Sequence, residues 1–171
     1  MVAKPNKLFL GAIFFSFLGD VFLLYDLELN FILGLSSFLI AHLLYISVFK
    51  KLISNTSIAQ KVVAFIPFTG LYVFLMWYLK DVLGAMQVPV FVYGAVICIF
   101  GYIAFLHYVK RQTALAGVLV VGSLLFIVSD SLLAINKFYY KQVGFDEIII
   151  ITYILAQYSI CKFMVNYQEA R

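Results

Sequence analysis

The sequence predicts an all-α fold, a polytopic transmembrane helix bundle, and three observations carry that expectation. Of 171 residues, 65% are hydrophobic and only 12% charged, where a soluble domain is about half apolar and about a quarter charged. Mean hydropathy is +1.06. Six apolar runs, each near the ~20 residues that cross a bilayer, fill the chain and leave only short connections. A soluble domain of this size could not hide so much apolar surface from water. That excludes an ordinary soluble enzyme and a disordered chain. Two cysteines are too few for a disulfide scaffold, and ten glycines with three prolines exclude a collagen-like or low-complexity chain.

The runs are Leu8–Tyr25, Phe31–Phe49, Val62–Leu79, Val88–Val109, Ala114–Asn136 and Ile148–Val165. The first follows Lys4 and Lys7, but it carries Asp20 and lacks a small-x-small cleavage site, so it reads as a span and not a leader. Pro67 lies inside the third run, where a kink is expected, and Pro89 opens the fourth, where a proline is well placed. No connection is long enough to separate domains, so residues 1–171 form one bundle. Cys98 and Cys161 both fall in apolar runs, without metal-ligand spacing, and read as buried thiols. His107, beside Lys110 at the end of the fourth run, reads as interfacial, and most Tyr and Phe residues read as facing lipid or its boundary.

Lys and Arg set the orientation. One set of alternate loops and ends holds Lys4, Lys7, Lys50, Lys51, Lys61, Lys110, Arg111, Lys162 and Arg171; the other holds Lys80, Lys137 and Lys141. Basic residues concentrate on the cytoplasmic side, so both termini are expected there, in an integral membrane, multi-pass protein (of the cell membrane if bacterial). The net charge of +4 comes from these loops, forms no basic stripe, and implies no nucleic-acid partner.

Of eight acidic residues, Asp20 and Asp130 interrupt apolar runs. Each intramembrane carboxylate costs about 2.5–3.5 kcal/mol on insertion scales, which an apolar side chain would avoid. On helices running outward, Asp20 lies about six residues before the loop at Asp26 and Asp130 about six before Asn136, which is ~9 Å of depth at 1.5 Å per residue. Acids at one level can meet if their helices are neighbours, sharing a proton or settling as one acid beside one carboxylate. Ser16 lies one turn before Asp20, and Ser129 adjoins Asp130. Ser36, Ser37 and Tyr153 fall near the same depth, Asn136 sits at the outer lip, and His42 is deeper, at ~20 Å. Each has a structural alternative: the acids and His42 can bridge helices, and Ala12, Ser16, Gly94 and Cys98 can be close-packing positions. The segments around Asp20 and Asp130 share a small residue, Asp, then Leu, and the spans that follow carry Ala41-His42 and Ala156-Gln157. This hints at a parallel repeat. No phosphate loop, dinucleotide fingerprint, zinc pair or serine elbow occurs, so no cofactor or metal is expected.

Three blocks, Ser16–Leu24, Gly34–Tyr45 and Gly122–Ala134, in this order and separation, resemble the YhhN-like lysoplasmalogenases along essentially the whole chain. The resemblance implies a multi-pass hydrolase that cleaves the vinyl ether bond of lysoplasmalogens to a fatty aldehyde and a glycerophospho-base. It implies Asp20 and Asp130 as the catalytic pair, matches His42 and Tyr45 to the second block, and makes a lysophospholipid the substrate partner. The family usually has eight spans, so the chain is expected to lack the first two. The chemistry suits the residues. Vinyl ethers hydrolyse through an oxocarbenium ion, as glycosides do between two carboxyl groups. A proton-coupled carrier with Asp20, Asp130 and His42 as a relay and a non-catalytic lipid-binding protein are the alternatives. An intramembrane aspartyl protease is disfavoured, because Phe17 stands where its signature needs glycine.

Overall fold

A computed structural model describes residues 6–25, 27–140 and 145–169. Among them the chain is all helix and turn, without strands. The helices are α1 (Lys7–Leu23), α2 (Glu28–Phe49), α3 (Ile58–Leu79), α4 (Gln87–Arg111), α5 (Ala114–Ile135) and α6 (Phe145–Glu169). Short 3-10 turns at Lys50–Ile53 and Gly84–Met86 and a π turn at Asn136–Tyr140 complete them. The six expected runs are therefore six helices, with ends moved by a few residues. Five are long and apolar enough to cross a membrane. The 17-residue α1 is shorter, about 25 Å at the helical rise. Lys4, Asp26, Lys141 and Arg171 lie outside the described residues.

Local chemistry explains where helices start and stop. The Asn6 side chain accepts from the backbone N–H of Leu8 and Phe9 and opens α1. Ser57 and Gln60 form a reciprocal capping box at the start of α3, and Thr113 accepts from Ala116 N–H to open α5. Gln112 takes a left-handed conformation that ends α4, with Lys110 and Arg111 in the last turn, where cations suit the helix dipole. The helix α3 continues across Pro67, whose ring faces outward.

Helices α1 with α2, and α5 with α6, form the two most extensive pairs, while α4 packs against α2, α3 and α5. Small residues permit the close approaches. A Cβ on Gly19 would lie 2.6 Å from the Phe38 ring, and one on Gly34 would lie 3.3 Å from the Gly19 carbonyl oxygen. Between α5 and α6, a Cβ on Gly122 would lie 3.2 Å from the Ala156 carbonyl oxygen. Helices in lipid associate mainly through such packing, because apolar side chains gain little by leaving acyl chains for one another.

The aromatic residues divide between the outer face and the core. Phe14, Phe17, Phe65, Phe74 and Trp77 do point outward, but Tyr45, Phe49, Phe100, Phe126 and Phe163 are fully buried. Tyr45 stacks on Phe100 at 5.6 Å between centroids, and Phe49 meets Phe163 edge-on at 5.7 Å. Hydropathy ranks a phenylalanine the same whichever way it points, so the inward set was invisible before helix neighbours were known. His107, near the end of α4, is buried against Phe163. Cys98 is buried, Cys161 half-buried, and both are free thiols. Ala12, Ser16 and Cys98 are buried packing positions as expected, and Gly94 lies against Met76.

Candidate active site

Asp20, late in α1, and Asp130, late in α5, share a neighbourhood through Phe38, whose ring lies against Gly19 and Tyr153 and lines a cleft with Asp130. They are close enough to interact electrostatically, and both are partly exposed. Each accepts a hydrogen bond from a tyrosine on a different helix. The Tyr153 hydroxyl of α6 donates to Asp20 Oδ2 at 2.8 Å, and the Tyr93 hydroxyl of α4 donates to Asp130 Oδ2. Four helices thus contribute to one polar centre, and a hydroxyl donor lowers the cost of carrying a carboxylate in an apolar setting.

Behind Tyr153 the polar groups continue. Gln157 Nε2 donates to the Tyr153 oxygen at 3.2 Å, and the Tyr45 hydroxyl donates to Gln157 Oε1 at 2.8 Å. Ser16 lies near Tyr45, buried, its hydroxyl without a hydrogen-bond partner among the described residues. His42 is wholly buried, with Nδ1 2.8 Å from the Phe38 carbonyl oxygen and Nε2 unpaired among the described residues. Its ring sits edge-on 5.7 Å from Tyr93 and 4.5 Å from Phe126. It touches neither acid through a hydrogen bond and adjoins the centre through the Tyr93 ring. Tyr45, matched to the second sequence block, is two hydrogen bonds from Tyr153.

Three expected members are placed elsewhere. Ser37 donates to the Leu33 carbonyl of its own helix at 2.8 Å. Ser129 donates to the Ile149 carbonyl at 2.9 Å and so ties α5 to α6. Asn136 donates to Asp146 Oδ1 at 3.0 Å on the surface. A serine in a helix readily bonds a carbonyl one turn back, and the same depth does not imply the same side of the helix. Ser36, likewise, is exposed.

Tyr93 and Gln157 were missed as site residues. Tyr93 lies six residues into α4, close to the depth counted for the acids from their apolar runs, so the depth rule that picked Tyr153 would have found it. Gln157 lies one turn beyond Tyr153 on the same face, which is also legible once Tyr153 is singled out.

Two mostly apolar clefts meet at Asp130. One lies between α2, α4 and α5, with Phe38, Tyr93 and Leu133 in its wall. The other lies toward α3, with Tyr72, Met76 and Cys98 in its wall. Such a place, apolar walls around a few convergent polar groups, is the ordinary form of a small-molecule site. The walls are apolar, and Asp130 is the acid that lines them.

No solved structure matches the chain. Its similarity to named proteins lies in sequence. It is 32% identical to a protein named lysoplasmalogenase TMEM86A from Bos taurus, over 97% of this chain and 68% of that protein. It is 30% identical to lysoplasmalogenase TMEM86A from Homo sapiens, over 99% of this chain and 70% of that one. The model of the YhhN family matches residues 2–164. With both acids, their tyrosine partners and all six helices inside that match or in large part so, the chain belongs to the YhhN family.

Proposed function

We propose that this chain is a membrane hydrolase that cleaves the vinyl ether bond of lysoplasmalogens, with Asp20 and Asp130 as its acid–base pair. The observation that carries the reading is a pair of costly carboxyl groups, each bonded to a tyrosine of another helix, with Asp130 lining both apolar clefts. The relatives' names supply the substrate class. The alkenyl tail lies along the apolar walls, and the glycerophospho-base stays at the end of the bundle nearer the acids. By the charge distribution that end faces away from the cytoplasm.

The reaction needs one proton donor and one proton acceptor. The protonated aspartate gives its proton to the β-carbon of the vinyl ether, and the double bond becomes an oxocarbenium ion. The carboxylate steadies that cation and takes a proton from the water that adds to the α-carbon, giving a hemiacetal. Transfer of the hemiacetal proton to the ether oxygen breaks the carbon–oxygen bond and releases the aldehyde and the glycerophospho-base. One water is consumed, and the proton ends on the second aspartate, beside the first. General acid–base groups of this kind contribute ~10²–10⁴-fold in rate.

Purified protein incubated with lysoplasmalogen is expected to release fatty aldehyde, and Asp20→Asn and Asp130→Asn are each expected to lose activity by ~10²-fold or more while remaining folded. Undiminished release by both variants would rule out the pair. No release by the wild type would rule out the substrate.

A further inference from the structure

The two aspartates are held differently, and the difference lies in what their tyrosine partners are free to do. The Tyr153 oxygen already accepts from Gln157 Nε2, and Gln157 Oε1 accepts from Tyr45. An amide is a donor at one end and an acceptor at the other, so the bonds run one way, from Tyr45 through Gln157 and Tyr153 to Asp20. Tyr153 is therefore committed to donating its O–H to Asp20 Oδ2. The end of such a chain matches a carboxylate, which only accepts, better than an acid, which has a proton of its own to place.

Tyr93 is under no such constraint. It bonds Asp130, and among the described residues no group donates to its oxygen. A hydroxyl both gives and accepts, so Tyr93 can turn to serve Asp130 with or without a proton. Asp130 also borders both clefts, whereas Asp20 borders neither.

We propose that Gln157 is a positioning residue: through Tyr153 it holds Asp20 as the carboxylate of the pair and leaves Asp130 as the proton donor. The kinetic consequence rests on the hydrolase reading, and the assignment of the proton does not. In that reaction Asp130 protonates the β-carbon, and Asp20 steadies the cation and takes the proton from water. The proton then returns from Asp20 to Asp130 before the next turnover.

Infrared spectroscopy of the purified full chain in lipid reports the proton directly, because a protonated carboxyl has a C=O band that moves when its hydrogen-bond partner is removed. Tyr93→Phe is expected to move that band, and Tyr153→Phe to leave it in place. The reverse pattern, movement in both or in neither, or no such band overturns the assignment. With lysoplasmalogen as substrate, the near-isosteric Gln157→Glu accepts from both Tyr45 and Tyr153 and draws the latter away from Asp20. It is expected to lower kcat about tenfold or more, with KM changed less than about twofold, and to shift the pH profile. Wild-type kcat and pH profile in folded Gln157→Glu overturn the positioning role. Absence of aldehyde release from the wild type instead removes the hydrolase reading, and the infrared pattern still decides where the proton sits.

Discussion

The layer of the bundle that holds Asp20, Asp130, Tyr93 and Tyr153 differs from the layer below it, where Tyr45, Phe49, Phe100 and Phe163 meet. In the upper layer the acids are partly exposed and two clefts open beside Asp130. In the lower layer the rings are buried and stacked or edge-on at 5.6–6.2 Å. The helix α2 runs through both, with Phe38 at the acids, His42 between the layers, and Tyr45 and Phe49 below. The contrast separates two jobs. Room, polar groups and access are concentrated at one end, and dense packing that fixes the helices sits beneath it. A carrier passing protons from end to end would need a polar route through the lower layer, and that layer of buried rings argues against the carrier alternative.

Substitutions in the two layers should therefore fail in different ways. The largest effect is expected from Gly19→Val, because a Cβ there would already lie 2.6 Å from the Phe38 ring. Forcing α1 off α2 costs about 1–3 kcal/mol by overpacking and displaces Asp20. Aldehyde release per folded molecule should drop more than stability does, and release at the wild-type rate would show that the acid's position is not set by this contact. Phe100→Ala in the lower layer should reverse the balance. It leaves a cavity worth about 2 kcal/mol in lost packing, without the water-transfer part of the usual core penalty. Unfolding in detergent should reveal that loss, with activity of the folded fraction near wild type. A large loss of activity at unchanged stability would erase the distinction between the layers.

The smallest effects sharpen it. Ser129→Ala removes a bond between α5 and α6, and interhelical bonds of this kind average about 0.6 kcal/mol. Ser37→Ala removes only a bond within α2 and should change neither unfolding nor activity measurably. The pair separates a serine that joins helices from one that merely satisfies itself.

Much of the fold was readable because burying backbone polar groups in lipid permits few solutions. Apolar runs of spanning length become helices whatever their neighbours. The acids were readable for a related reason: Asp20 and Asp130 stand out against apolar sequence because their insertion is costly. Tyr153 followed from depth, which is counted along one helix. Ser37, Ser129 and Asn136 satisfied the same count and still bond elsewhere, because depth does not say which way a side chain points. Tyr93 was passed over among the many aromatic residues, since the sequence treats inward and outward rings alike.

What the sequence by itself determined is therefore the set of helices, their near-limits and the identity of two anomalous carboxyl groups. Hydropathy and insertion cost act on each segment alone, without reference to its neighbours. Only the tertiary structure decided that α6 supplies the partner of Asp20, that α4 supplies the partner of Asp130, and that Gln157 stands behind Tyr153. Those pairings depend on helix rotation and on close approaches at Gly19, Gly34 and Gly122, where packing between segments sets the geometry.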